Sequence, residues 1–103
     1  MILSFEIGEE TDSDVLLPVR WRNLYPGKQI NPASSRDTDL SESTIHFVAI
    51  SNGNICGCVT LTEEFAQNRA LRMPWIGVDD NFRGQGIGSA LCSACLMEAS
   101  RRR

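Results

Sequence analysis

Residues 78–91, VDDNFRGQGIGSAL, combine the end of an apolar strand, a glycine-rich loop and the start of a helix. The glycines at 84, 86 and 88 allow backbone N–H groups to converge on an anion with no Cβ in the way. The first turn of the helix adds N–H groups that have no partner within the helix, together with the positive end of its dipole. Arg83 can add a charge-assisted contact. The segment is therefore predicted to bind a phosphate or pyrophosphate.

Other interpretations of this loop compete with that prediction. A P-loop needs Lys followed by Ser or Thr after its last glycine, and the only lysine of the chain is Lys28. A dinucleotide-binding fingerprint needs a third glycine where Ser89 stands and an acidic residue about twenty residues later, where this sequence has already ended. A tight turn without a ligand stays open, because Gly84 and Gly86 alone are a weak signal.

The central part of the chain predicts a β-hairpin. Residues 44–51 and 55–62 are expected to form strands on either side of Asn52-Gly53, a dipeptide that suits the positive φ angles of a type I′ turn. Alternation in the second strand predicts one face with Ile55, Gly57, Val59 and Leu61, and the other with Cys56, Cys58, Thr60 and Thr62.

The remaining elements predict two further strands and two helices. Residues 2–7 are expected to form a first strand, and residues 70–78 a later one with a bulge or a break in pairing at Pro74, which cannot donate a ladder hydrogen bond. Leu17, Trp21 and Leu24 recur at helical spacing, and this helix is expected to begin near residue 16 because Pro18 fits best in a first turn. A second helix is predicted from about residue 86 to residue 100, with a stripe of mostly small apolar side chains.

Composition predicts one globular domain and disfavours several other classes. The chain has 103 residues, of which 42% are hydrophobic and 22% charged, which suits a soluble protein. It contains no stretch that could span a membrane and no secretory signal, so a cytoplasmic location is expected. The net charge of -3 gives no general attraction to nucleic acid. Arg101-Arg102-Arg103 are interpreted as cations at a helix C-terminus, where the dipole favours them.

The cysteines Cys56, Cys58, Cys92 and Cys95 are predicted to be reduced packing residues. Disulfides are not expected in a chain without a secretory signal. Cys92 and Cys95 fall inside a helical apolar pattern, whereas structural zinc ligands usually lie on loops. A buried cysteine behaves as a small apolar side chain, and no metal site is predicted.

Arg83, Gly86 and Gly88, between an apolar strand and Ala90-Leu91, closely resemble the acetyl-CoA pyrophosphate loop of the GNAT N-acetyltransferase superfamily. The family pattern is Gln or Arg, two residues, Gly, one residue, then Gly or Ala. The resemblance implies a mixed α/β (α+β) fold of the GNAT type.

The resemblance extends on both sides of the loop. Residues 71–78 resemble the fourth strand of the family, residues 44–57 its central hairpin, and residues 19–27 the first helix of one branch. These segments occur in the family order and span most of the chain. We therefore expect residues 1–103 to form a single, partial GNAT domain.

The resemblance implies transfer of an acetyl group from acetyl-CoA to an amine by direct attack on the thioester. The pantetheine arm would meet the backbone of the fourth strand, and an N–H of Ile76 or Gly77 would stabilise the oxyanion. The cysteines would not act as nucleophiles. The expected donor-binding residues are Ile76, Gly77, Val78, Arg83, Gly84, Gln85, Gly86, Ile87, Gly88 and Ser89.

A general base must take a proton from the amine, directly or through water. Glu63 and Glu64, at the end of the third strand, are candidates, and so is His46, whose pKa range suits the role. Each has a structural alternative. Glu63 and Glu64 are also typical of solvated carboxylates in a loop, and His46 of a hydrogen-bonded histidine in a central strand.

The polar segment 26–43 corresponds to a loop that helps to form the acceptor site in the family. Its acidic residues Asp37, Asp39 and Glu42 would attract a cationic amine, or they are ordinary turn residues. The acceptor itself cannot be predicted from these residues.

The resemblance covers the N-terminal portion of the family domain, which continues with a fifth strand and further elements. No residue matches the tyrosine that often acts as general acid in the family, because Tyr25, the only tyrosine, matches the first helix. The strand at residues 70–78 is expected to keep an open edge, and open edges template association. A homodimer that covers this edge, and in which dimerisation would complete the site of the enzyme, is therefore expected. The alternative function is a catalytically inactive half-domain that binds CoA or acts as an interaction module.

Overall fold

An antiparallel sheet of four strands in the order β1-β2-β3-β4 carries the fold in the computed structural model, which describes residues 4–24, 44–63 and 71–102. The elements are β1 (Glu6–Glu10), α1 (Ser13–Leu24), β2 (Ile45–Ser51), β3 (Asn54–Glu63), β4 (Leu71–Val78) and α2 (Ile87–Arg101), with a 3-10 turn at Asp80–Phe82. The predicted mixed α/β fold class is confirmed. None of the helices in the described part of the chain is long and apolar enough to cross a membrane.

The two helices cover opposite faces of the sheet, because successive strand residues point to opposite sides. The α2 face buries the apolar cluster Ala49, Cys56, Val59, Leu61, Ile87, Leu91 and Cys95. The α1 face buries the smaller cluster Leu16, Val19, Val48 and Cys58. The cleft described below lies where β4 ends between these two layers.

Gly57 lets α2 lie close on the sheet. A Cβ at this position would lie 3.1 Å from the carbonyl oxygen of Gly77 and 3.3 Å from Cγ2 of Ile87. Both contacts are tighter than ordinary van der Waals packing. A side chain here would push α2 away from β3, and with it the start of the helix that follows the glycine loop.

The hairpin turn is confirmed. Asn52 has a φ of 52° and Gly53 a φ of 79°, as a type I′ turn requires. Ser51 pairs directly with Asn54 across the turn.

A bulge in the β2–β3 pairing changes which side chains share a face. Ala49 pairs with Gly57 and Ile50 with Ile55, so Cys56 is the extra residue. Cys56 consequently packs in the α2-face cluster and Ile55 against the α1-face cluster. The predicted alternation is wrong at these two positions, because an inserted residue reverses the pattern beyond it.

The bulge predicted at Pro74 is confirmed by the register. Thr60 pairs with Trp75 and Thr62 with Arg72, so β4 uses one more residue than β3 between these pairs. A proline has no N–H to give to a ladder, and a bulge is where a strand tolerates it.

The first strand is shifted from the prediction. β1 begins at Glu6 and ends at Glu10, whereas the sequence pattern predicted a strand from residue 2 to residue 7, of which residues 2 and 3 lie outside the described part of the chain. Pairing with β2 runs from Glu6 opposite Ile50 to Glu10 opposite His46. The prediction was wrong because cross-strand hydrogen bonding, rather than local apolar alternation, draws the acidic segment into the sheet.

The helix α1 begins at Ser13, upstream of the predicted start near residue 16. Asp12 caps it, since its Oδ1 accepts a hydrogen bond from the Asp14 N–H at 2.9 Å. Pro18 therefore lies in the second turn and not in the first. Among the side chains of α1 whose burial the structure describes, the most buried are Leu16, Val19 and Arg20, whereas Leu17 and Trp21 of the predicted stripe are half-buried.

The second helix and the cysteines follow the predictions closely. Gly86 is the N-cap of α2, and the buried side of the helix carries Ile87, Leu91, Cys95 and Glu98. Cys56, Cys58 and Cys95 are buried free thiols and Cys92 is half-buried. Arg101 and Arg102 lie at the C-terminus of α2, as predicted, and both donate hydrogen bonds to the Glu98 carboxylate, whereas Arg103 lies outside the described residues.

Candidate active site

An open cleft of about 530 Å³ lies where β4 ends and α2 begins. Its wall combines strand backbone, glycine loop and the first turn of a helix. The lining residues are Asn23, Ile76, Gly77, Val78, Phe82, Arg83, Gly84, Gly86, Ile87, Gly88 and Ser89. Nine of the ten predicted donor-binding residues are among them, and the tenth, Gln85, lies within the same loop.

The glycine loop has a backbone that non-glycine residues rarely adopt. Gly84 and Gly86 have φ angles of 77° and 83°, in the left-handed region that glycine enters without steric cost. A Cβ at either position would meet no atom within 4 Å. The glycines are therefore required by backbone conformation, and the space beside them is open to a ligand.

The first turn of α2 presents backbone donors to this open space. The first bond of the helix runs from the Ala90 N–H to the Gly86 carbonyl, at 2.9 Å. The preceding N–H groups of Ile87, Gly88 and Ser89 have no acceptor within the helix. These donors and the helix dipole together favour an anionic group at the mouth of the cleft.

Arg83 lies at the same mouth with an exposed side chain. Its Nε donates to the Val78 carbonyl at 3.2 Å and lies 3.3 Å from Asp80 Oδ1. Both contacts are long and solvent-accessible, so the guanidinium can turn toward an anion in the cleft at little cost.

A second group of polar side chains ties α1 to the end of β4. Arg22 donates to Asp79 through Nε at 2.8 Å and through Nη2 at 2.6 Å. Asn23 donates from Nδ2 to Asp79 Oδ1 at 2.7 Å. Burial raises the pKa of the Asp79 carboxyl, but the hydrogen bonds from Arg22 and Asn23 outweigh burial and hold the pKa below its usual value. Asp79 is therefore a carboxylate at neutral pH.

Asn23 also forms part of the cleft wall. A Cβ on Gly77 would lie 2.8 Å from Cβ of Asn23, so only glycine at this strand position allows α1 to approach so closely. Nδ2 of Asn23 further donates to the Val19 carbonyl at 2.9 Å. The end of α1 is thereby held against β4 at the wall of the cleft.

His46 lies on the α1 face, buried in a separate polar cluster. Its Nδ1 is 2.9 Å from Thr60 Oγ1, and Nη2 of Arg20 donates to the same oxygen at 3.0 Å. Only 4% of His46 and 3% of Arg20 are exposed. The cluster holds His46 away from the wall of the cleft.

The other predicted site residues are only partly within the described chain. The backbone of Glu63 closes β3 and pairs with Leu71, whereas Glu64 lies outside the described residues. Asp37, Asp39 and Glu42 lie outside them as well.

Sequence reasoning missed Arg22, Asn23 and Asp79. The sequence contained a signal for Asp79, because this residue directly follows an apolar strand and precedes the glycine loop. Its partners stand more than fifty residues earlier, at the end of α1, and no local pattern connects them.

The comparison with family models decides the family. The acetyltransferase (GNAT) domain matches residues 42–103, which is more than half of the chain and includes the whole of β2 through α2. The chain belongs to the GNAT acetyltransferase family. The family predicted from the loop is confirmed.

Solved structures show the same fold. An aminoglycoside acetyltransferase from an uncultured soil metagenomic sample has a TM-score of 0.71 at 20% identity, over 97% of this chain and 74% of that one. An acetyltransferase of the GNAT family from Staphylococcus aureus Mu50 has a TM-score of 0.77 at 20% identity, over 96% and 68%. At these identities the likeness establishes the GNAT fold.

A third structure connects this fold with a bound donor. AAC(6')-Iy in complex with the bisubstrate analogue CoA-S-monomethyl-acetylneamine has a TM-score of 0.76 at 16% identity, over 96% of this chain and 74% of that one. The same enzyme has a structure in complex with CoA. A comparison with curated protein sequences found no match.

Proposed function

We propose that this GNAT protein is an N-acetyltransferase that carries an acetyl group from acetyl-CoA to an amine, with its donor site formed within one domain. The observation that carries the proposal is the glycine loop, whose left-handed Gly84 and Gly86 open onto a cleft between the end of β4 and the N-terminus of α2. The CoA complexes of a protein with the same fold support acetyl-CoA as the donor.

In this proposal the pyrophosphate of acetyl-CoA lies on the glycine loop. The N–H groups of Ile87, Gly88 and Ser89 donate to its oxygens, and the helix dipole adds to their effect. Arg83 turns from Val78 and Asp80 to the phosphate, which forms a stronger charge-assisted contact than a neutral carbonyl. The space beside Gly84 and Gly86 is open and can receive the pyrophosphate.

The acetyl group then lies along the outer edge of β4. Within the described residues, the partner of β4 is β3 alone, so the opposite edge is open to the pantetheine arm. The amine attacks the thioester carbonyl and forms the C–N bond, while the C–S bond breaks and the thiolate leaves. A backbone N–H of Ile76 or Gly77 stabilises the negative charge on the carbonyl oxygen during attack.

The proposal needs no covalent intermediate on the protein. Burial raises the pKa of the Cys58 thiol to about 11 and that of Cys95 to about 11. Both therefore stay protonated at neutral pH, and a thiol is a much weaker nucleophile than a thiolate. Direct attack by the amine is the simpler path.

The amine must lose a proton during the reaction. Glu63, Glu64 and His46 stay the candidates for the general base. His46 is only 4% exposed and its Nδ1 contacts Thr60. Because this burial keeps His46 from an amine in the cleft, one of the two carboxylates is the favoured base.

Calorimetric titration with acetyl-CoA tests the donor site. We expect Gly86→Glu to weaken acetyl-CoA binding about a hundredfold, because it adds a negative charge beside the pyrophosphate and a side chain at a left-handed position. Gly8→Glu is the matched control, since Gly8 lies on β1 and has open space around it. Equal affinities for the two variants would contradict the assignment of the loop.

Thiol release in the presence of a panel of amines tests turnover. Release that depends on both acetyl-CoA and an amine supports the transferase. Binding of acetyl-CoA without thiol release for any amine supports the alternative, a CoA-binding module without activity.

We also propose that a second copy of the chain covers the part of the open edge of β4 that acetyl-CoA leaves free, because an unpaired strand edge templates association. Light scattering tests this directly. A monomer across the accessible concentration range would contradict the dimer and leave the donor site unaffected.

A further inference from the structure

Asp79 joins three elements at the point where β4 passes into the glycine loop. We propose that Asp79 is a positioning residue for acetyl-CoA binding, which acts through Arg22 and Asn23 of α1 rather than by touching the donor. This inference rests on the proposed function, because it concerns the same cleft.

Arg22 and Asn23 of α1 both donate hydrogen bonds to the Asp79 carboxylate, and these three side chains are called the clamp. Arg22 meets the carboxylate with two nitrogens, the paired geometry in which guanidinium and carboxylate are strongest and most directional. Nη2 of Arg22 also donates to the Ile55 carbonyl of β3 at 3.0 Å. Asn23 adds the third contact to the carboxylate, so α1, β3 and the end of β4 meet at one carboxyl group.

The backbone of Asp79 begins the loop that delivers the anion-binding groups. Its N–H donates to the Cys56 carbonyl at 2.8 Å and extends the β3–β4 ladder by one residue. Its carbonyl accepts from the Phe82 N–H at 2.9 Å and closes the 3-10 turn. Arg83 and Gly84 follow this turn directly, so a shift of Asp79 moves both of them.

The clamp also sets the cleft wall. Asn23 lies against Gly77 at a distance that leaves no room for a Cβ, and both residues line the cleft. Release of Asn23 from Asp79 would leave its amide held only by the Val19 carbonyl. The distance between α1 and β4 would then be less well defined where acetyl-CoA is proposed to lie.

The clamp contributes more to geometry than to global stability. Arg22 and Asp79 side chains are 48% and 23% exposed, and ion pairs this accessible contribute little to the unfolding free energy. Variants at these positions are therefore expected to fold. A misplaced binding group, by contrast, lowers the affinity even when the fold is intact.

The test is calorimetric titration with acetyl-CoA at a low temperature where circular dichroism shows each variant to be folded. We expect Asp79→Asn and Arg22→Ala each to weaken acetyl-CoA binding about tenfold. The double variant should be no weaker than either single one, because both changes break the same contact. Asp14→Asn, the same substitution on an exposed residue in the first turn of α1, should bind within about twofold of the unchanged protein.

A folded Asp79→Asn protein with the affinity of Asp14→Asn overturns the proposal, and so does an additive double variant. A purely structural role would lower the melting temperature and leave the low-temperature affinity unchanged. If Asp79→Asn does not fold, Arg22→Lys takes its place, since it keeps the charge and loses the paired geometry. An unchanged chain that binds no acetyl-CoA overturns both this inference and the proposed function, whereas Gly86→Glu alone reports on the proposed function.

Discussion

The two faces of the sheet are built from different chemistry. On the α2 face, all seven buried residues of the cluster are aliphatic side chains or cysteines. On the α1 face, four buried apolar residues are accompanied by the buried polar side chains of Arg20, His46, Thr60 and Thr62. The α2-face cluster is apolar, with the buried, ion-paired Glu98 at the end of the helix, whereas the α1 face combines a small core with hydrogen-bonded polar groups.

The two faces differ in how strictly their contacts define the geometry of the elements that they join. Apolar burial is non-directional and tolerates small shifts, so it suits a face whose task is to hold the helix on the sheet. Hydrogen-bonded polar groups define one geometry, at the cost of desolvation if a partner is lost. Arg22, Asn23 and Asp79 connect α1 to the end of β4 beside the cleft, while the first turn of α2 forms another part of the cleft wall.

The largest stability effect is expected on the α2 face. Leu91 is fully buried, and Leu91→Ala should lower the free energy of unfolding by about 3 kcal/mol through lost apolar burial and a cavity. Leu96→Ala is the matched control on the same helix, because Leu96 is 66% exposed; its effect should stay within about 0.5 kcal/mol. Urea denaturation measures both, and similar losses would contradict the assignment of the core to the Leu91 side of α2.

A smaller loss is expected from the polar cluster on the α1 face. Thr60→Val keeps the shape of the side chain and removes the oxygen that contacts both Arg20 and His46. The buried Arg20 guanidinium would lose this acceptor, which should cost about 1–2 kcal/mol in urea denaturation.

Thr62→Val is the matched control for that measurement. Thr62 accepts from a neutral partner, the half-buried hydroxyl of Thr44, at 3.2 Å, so its loss should cost less. A cost for Thr62→Val that equals or exceeds the cost for Thr60→Val would show that the cationic partner does not matter.

The smallest effect is expected at the C-terminus of α2. Hydrogen bonds from Arg101, and then from Arg102, lower the pKa of Glu98 to about 2 from its ordinary value of 4.5. The folded state therefore gains stability from this carboxylate above about pH 4.5, and loses it as the pH falls through 2. Glu98→Gln should cost less than about 1 kcal/mol at neutral pH.

The pH dependence distinguishes the Glu98 cluster from ordinary surface charge. The difference between the unchanged protein and Glu98→Gln should shrink between pH 5 and pH 2 as the carboxylate is protonated. Glu6→Gln, which removes an exposed carboxylate from β1, is the control for a change of surface charge. A stability difference for Glu98→Gln that persists at pH 2 would contradict the role of charge.

Local patterns predicted the features whose causes lie within a few residues. The turn at Asn52-Gly53, the bulge at Pro74, and the loop and helix after Val78 all follow from the backbone preferences of glycine, asparagine and proline. The same loop was specific enough to indicate the family. Most of the donor-binding residues predicted from it line the cleft.

The errors of prediction have causes that lie far along the chain. The strand β1 was misplaced because its position depends on pairing with β2, forty residues later. The predicted start of α1 was too late in the chain. The prediction placed Pro18 in the first turn, whereas the cap at Asp12 sets the actual start at Ser13. Cys56 and Ile55 exchanged faces because of a bulge that alternation alone cannot reveal.

The sequence by itself determined the glycine loop, the hairpin and the family, because each depends on backbone angles and spacings that neighbouring residues set. Only the tertiary structure decided that Asp79 receives Arg22 and Asn23, and that Asn23 lies against Gly77. Such contacts arise when α1 packs on the α1 face of the sheet and brings residues 56 or 57 positions apart within hydrogen-bond distance. No local preference encodes them, because the partners become neighbours through the packing of the whole sheet.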